Sequence, residues 1–221
     1  MPPLLRPAEK IAMPQSLYTP AHFAAPSREA MHDLIDANDF GILIAADGDN
    51  VQASHIPFML DRTRGAHGTL LAHVARANPI WQLLQTRPAM AIFQGAHGYI
   101  SPRWYATQPA VPTWNYAVVH AHGQARLLQE SAELKTLVDR LARVYEDPTQ
   151  WSMAAQPDRF MDGMVRGIVG IEIEIAELYG KFKFSQNRPA ADRDGVLTAL
   201  DASPKQEDHG LATAMRAVLV K

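Results

Sequence analysis

Residues Ile171 to Ile175 read I-E-I-E-I. Isoleucine and glutamate on every second position put one apolar and one charged side on an extended chain, and a helix cannot sort them that way. This period of two recurs along the sequence. FGILIAA and VQASHIPFML flank the turn cluster Asp47-Gly48-Asp49-Asn50, a hairpin pattern. GTLLAHV, AMAIFQG and TWNYAVVHAHGQARLL are further strands, GYISP extends or follows AMAIFQG, and GKFKFSQN alternates again after the isoleucine run. Pro57 has no N–H for a ladder, so its strand must lie at an edge or a bulge.

Helices are inserted between these strands. SREAMHDLIDA opens on a capping Ser27, and ARANPIWQLLQT offers Asn78 as N-cap with Pro79 in the first turn. SAELKTLVDRLARVYE carries Leu134, Leu137, Val138, Leu141 and Val144 on one stripe. A short helix is expected over residues 160–168, and two more follow Pro189. The fold class is α+β, mainly β: an antiparallel barrel or sandwich with peripheral helices. The barrel is expected over 18–188. Helices at 189–221 would pack on it or on a partner subunit, and the proline-bearing stretch 1–17 is expected to be disordered.

The chain has 221 residues, a net charge of -2 and no cysteine. Disulfides, thiol chemistry and cysteine metal sites are excluded, and no basic face advertises nucleic acid. With no apolar run of roughly 20 residues and no signal-peptide core, the expected location is cytoplasmic, with no membrane partner. Neither G-x-S-x-G nor a phosphate-loop glycine motif is present. The two tail helices have mixed charge, so no DNA-reading helix is visible.

Four stretches carry chemistry. LLAHVARANPIW places Arg76 between a strand and a helix start, where a fork of donors and free amides suits a phosphate; a surface arginine beside a capped helix has the same spacing. His120 and His122 share one side of a strand, with His55 and His73 on others. A metal site lacks carboxylates at close spacing, which leaves barrel-wall histidines as the plainer reading. Tyr99, Ser101, Trp104, Tyr105, Trp114, Asn115 and Tyr116 suit a flat heterocycle, a dimer interface or the rim of a core. Lys181, Lys183 and Arg188 form either a second anion contact or a lysine-guarded strand edge.

In order, LYTPAHF, SHIPFML, LLAHVARANPIW, AIFQGAHGYISPRWY, VPTWNYAVVHAHG and GKFKFSQNR resemble the PaiB-type FMN-binding negative transcriptional regulators over nearly all of 18–188. The resemblance implies a split β-barrel like that of pyridoxamine-phosphate oxidases, a homodimer with two FMN sites shared between subunits. It assigns the flavin phosphate to Arg76 with the backbone of Ala77 and Asn78. The lysine frequent beside that arginine is missing here, which leaves Lys181 or Lys183 as helpers. Ser54, His55, Ala72 and His73 would line the ring edge, and Trp114 and Asn115 would close the site. A regulatory function follows, with DNA binding implied by the family label alone. A flavin-dependent oxidoreductase acting on a small acceptor and a haem-handling protein are the alternatives.

Overall fold

The structure, a computed structural model, describes residues 17–219. The expected disordered tail falls almost wholly outside them. Seven antiparallel strands form one sheet: β1 (Phe40–Asp47), β2 (Asn50–Pro57), β3 (Met59–Asp61), β4 (Thr69–Ala75), β5 (Ala89–Ile100), β6 (Thr113–Leu128) and β7 (Ile168–Lys183), in the order β2-β1-β5-β6-β7-β4-β3. β2 lies against β4 and curls the sheet into a split barrel. Pro57 is the last residue of edge strand β2, where a missing N–H costs no ladder bond.

The barrel is filled from the inward phase of each strand: Leu43 and Ala45, Leu70 and Val74, Ala91 and Phe93, Val119 and Ala121, Ile171 and Ile173. Helices complete it. In α1 (Arg28–Ala37) the Ser27 hydroxyl accepts from the Ala30 N–H, and Leu34 and Ile35 enter the core. α2 (Ile80–Leu83) is a single turn, shorter than its sequence pattern predicts. Ile80 and Leu84 both have to reach the core, and the chain then unwinds through turns towards Pro88, which disfavours a helix before it. α5 (Ala190–Asp201) and α6 (Gln206–Leu219) contribute Val196, Leu200, Leu211 and Met215 to the same core. They are therefore packed on the barrel of their own chain.

Two strands are longer than the sequence reading makes them. AMAIFQG and GYISP are one strand, β5, with a bulge between Gln94 and His97. The isoleucine run and GKFKF are likewise one strand, β7, whose register against β6 shifts at His122/Gly123. Both shifts change the inward phase: Ile171, Ile173 and Ile175 give way to Phe182 and Phe184. Gly123 is obligatory at the second one, because a Cβ there would stand 2.0 Å from the Glu174 carbonyl oxygen.

The outside of the sheet has two unlike flanks. On the β4–β7 side, α3 (Ser131–Ala142) and α4 (Asp158–Arg166) close a second apolar cluster of Leu71, Leu128, Leu134, Leu137, Leu141 and Val165. Val144, expected on that stripe, follows the end of α3 and is half exposed. On the β2-β1-β5-β6 side, the outward residues Ile42, Ile44, Met90, Ile92 and Val118 are half-buried and belong to neither cluster.

Candidate functional site

The strand–arginine–helix corner forms, but differently from its sequence pattern. After β4 the chain turns, with the Asn78 N–H donating to Ala75 O and the Arg76 N–H to Gly167 O. Asn78 then knits the corner: its Oδ1 accepts from the Ile80 N–H and its Nδ2 donates to Ser54 Oγ at 2.9 Å. A one-turn α2 supplies little dipole, and the amides of Arg76 and Asn78 are already committed. What remains is the guanidinium. Arg76 donates through Nε to Arg166 O, through Nη1 to Gln129 Oε1 and through Nη2 to Ile168 O. Of its five N–H groups, those three bonds leave two unused among the described residues. They belong to a side chain held rigidly at a cleft of about 240 Å³ lined by Arg76, Gln129, Ser131, Leu134, Val165 and Arg166. Arg166 is the second cation there, and Gln129 and Ser131 begin the turn into α3. No local sequence signal marks them, since they lie some 53 to 90 positions from Arg76.

Lys181 and Lys183 are elsewhere. They sit at the far end of β7, whereas Ala75 pairs with Ile168 at its beginning, so within one protomer neither lysine reaches Arg76. Lys181 is buried; its Nζ donates to Tyr18 O at 2.9 Å and stands 5.2 Å and 5.4 Å from the ring centres of Tyr18 and Tyr116. Lys183 donates to Thr113 Oγ1 and to the Trp114 carbonyl. Burial, with Lys181 and Arg188 nearby, holds its ammonium below the usual lysine range.

The aromatic-polar lip divides between the two sides of β6. Trp114 is 54% exposed and meets Tyr99 edge to face at 6.3 Å. Asn115 belongs to the inward phase with Ala117 and Val119; fully buried, it donates to Ser185 Oγ at 3.0 Å and faces Met215 Sδ. It ties the end of β7 to α6 and does not cover a surface site. Alternation with Ala117 was the available signal for this. Buried Asp192 of α5 steadies the loop before β6, accepting from the Thr107 N–H at 2.9 Å and from Thr107 Oγ1 at 2.7 Å.

The other predicted ring-lining residues also separate by phase. Ala72 points into the core between Leu70 and Val74, so only its backbone is offered outward. Ser54 is engaged by Asn78, while His55 is exposed on the outside of β2. His73 is half-buried with its Nδ1 enclosed and lacking a hydrogen-bond partner; burial holds its pKa below the ordinary imidazole value. The bare flank gives a place to His55 and His120: ladder pairing aligns His55, Ile42, Ile92, His120 and Tyr179 in one row across five strands. Next to it run Ala53, Ile44, Met90, His122 and Glu177. At the end of this flank Gln94, His97, Trp114, Tyr116 and Val118 line a shallow cavity of about 440 Å³.

An antiparallel split barrel with helices over one outer flank, a double-arginine cleft at the β4 corner and a bare second flank defines the class of this protein. Residues 17–177 match the family described as "Putative FMN-binding domain", and the chain belongs to it. It is 27% identical over 209 residues to protease synthase and sporulation protein PAI 2 of Bacillus subtilis, covering 93% of this chain and 99% of that protein. Among solved structures, the flavocytochrome Anf3 of Azotobacter vinelandii shares the fold with a TM-score of 0.58 at 15% identity, over 73% of this chain and 69% of that one. The FAD and heme binding protein of Mycobacterium smegmatis gives 0.52 at 16% identity, over 72% of each chain. Among the described residues no helix is long and apolar enough to cross a membrane.

Proposed function

We propose that this protein is an FMN-binding homodimer with a regulatory function of the PAI 2 kind. The observation that carries this reading is the bare flank. Its outward residues between β2 and β6 (Ile42, Ile44, Ala53, His55, Met90, Ile92, Val118, His120) are apolar or neutral, so a second copy can lie on it without burying a charge. Family membership supports FMN as the ligand. The corner fits its phosphate: Arg76 keeps two N–H groups, and Arg166 supplies the second positive charge that Lys181 and Lys183 are too distant to give. Ser54 and Asn78 join this corner to β2, whose outer side begins the bare flank with His55, and these residues would line the ring side of an FMN held by Arg76. When bound, FMN supplies reversible hydride or electron transfer; this chain's residues hold the phosphate, shield the ring and set access to it.

The test is to purify the protein, add FMN, and record the visible spectrum, the melting temperature and the mass in solution. The expected result is bound flavin with a raised melting temperature on a dimer. A monomer with no flavin signal overturns the reading. Arg76→Ala is expected to weaken FMN binding at least tenfold, the loss of a charged hydrogen-bond partner of phosphate being worth about 1.5–3 kcal/mol; Arg166→Ala follows in the same direction.

A further inference from the structure

The proposed seam carries two histidines on β6, the last of its strands, His120 half-buried and His122 buried, and their chemistry bears on when the seam can close. His120 and His122 lie on the outward side of β6, 6.5 Å apart between ring centres. From β5 they are faced by Ile92 and Met90, and from β7 by Tyr179 and Glu177. Val118 precedes them on β6, Lys181 lies diagonally across β7 with its ammonium turned to Tyr18 O, and His55 stands two strands beyond Ile92. Glu177 is the one anion in the group. It already accepts from the Tyr179 hydroxyl at 2.9 Å, and the Tyr179 ring stands edge-on to His122 at 5.9 Å.

Resting on the dimer reading above, we infer that the His120–His122 pair makes this interface acid-labile: two copies of the chain associate while both imidazoles are neutral and separate when they are protonated. A neutral imidazole can be covered by Ile92- and Ile42-type surface at small cost, whereas an imidazolium loses its hydration and, at a two-fold seam, adds to the like charges of the other copy. Already in the single chain, burial holds both groups below the ordinary imidazole value; for His120 its neighbour His122 adds to this, while Glu177 pulls His122 partly back. Nδ1 of His120 is enclosed without a hydrogen-bond partner among the described residues. Each imidazole that must shed a proton to enter the seam weakens association roughly tenfold at one pH unit below its free pKa.

The experiment measures the dimer dissociation constant by analytical ultracentrifugation at pH 8.0 and pH 5.5, with circular dichroism at both to establish that the chain is folded. The proteins are the wild type, His120→Gln/His122→Gln, and His120→Gln alone should the double variant fold poorly. The expected result is a wild-type dimer at pH 8.0 whose dissociation constant rises at least tenfold at pH 5.5, with that rise abolished in the double variant and reduced in the single one. A wild-type dimer equally tight at both pH values overturns this inference and leaves the dimer reading standing. An equal rise in wild type and variants overturns it too, since other groups then titrate. A monomer already at pH 8.0 overturns both readings.

Discussion

The two outer flanks of the sheet have the same strand alternation and opposite fates. Over β4 and β7 the outward residues are roofed by α3 and α4, and the apolar contacts close within the chain. At the margin of that roof, Glu172 accepts from Arg64 and Arg126 at 2.9–3.1 Å, and Arg126 also bonds Glu133 of α3. Over β2, β1, β5 and β6 no element among the described residues forms such a roof, and the outward residues are isoleucine, methionine, valine and histidine. The first flank is finished by the chain that makes it. The second has an apolar composition that suits the interface proposed above.

Substitutions should separate the two. Leu134→Ala empties the middle of the roofed cluster and is expected to cost about 2–5 kcal/mol of stability, read as a denaturant midpoint, without changing self-association of the folded chain. Ile92→Glu at the centre of the bare flank should do the reverse: dimerisation falls at least a hundredfold by ultracentrifugation, while monomer stability moves by about 0.5 kcal/mol or less, as at an ordinary surface position. If it unfolds the monomer instead, the flank is not a free surface. Glu172→Gln removes the anion of the roof margin; because both arginines are substantially exposed, the loss is expected near 1 kcal/mol and should shrink in high salt.

The smallest effect is on the pH dependence of the monomer. Burial lowers the pKa values of His73, His120 and His122, so the unfolded chain binds more protons than the folded one once pH drops below about 6.5. Stability is therefore complete above that pH and declines as pH falls towards the folded values. Melting temperatures between pH 7.5 and 5.5 should show the decline, and His73→Gln should make it shallower. An unchanged slope in that variant would assign the effect to other groups.

The architecture was largely legible because alternation is a local record of which side is dry. Most strand positions, the capped α1, the stripe of α3 and the edge position of Pro57 are readable in windows of a few residues, but not the continuity of β5 and β7 across their bulges or the break of VQASHIPFML into β2 and β3. The site was less so. Arg76 was found through its neighbours in sequence, but its rigid hold depends on carbonyls of Arg166 and Ile168, whose approach only the β4–β7 pairing creates. The residue type of Asn115 suggests a surface contact, whereas its phase with Ala117 puts it in the core against Ser185. The lysines were grouped with Arg76 by charge, although pairing puts them at the other end of a strand of sixteen residues.

The two bulges have a consequence for how this sequence can change. Ahead of the shift in β7 the odd-numbered residues face inward, and behind it the even-numbered ones do, with Ala176 lying between Ile175 and Glu177, the residues paired on either side of the shift. Deleting one residue there would not merely shorten the strand. It would take out the unpaired bulge residue and leave plain alternation, with Ile175, Phe182 and Phe184 still inward and Glu177, Lys181 and Lys183 still outward. A deletion of one elsewhere in the strand, with the bulge kept, reverses the polarity of the residues beyond it, whereas a deletion at Ala176 preserves it. Single-residue length variation among relatives should therefore fall at Ala176 and not elsewhere in β7.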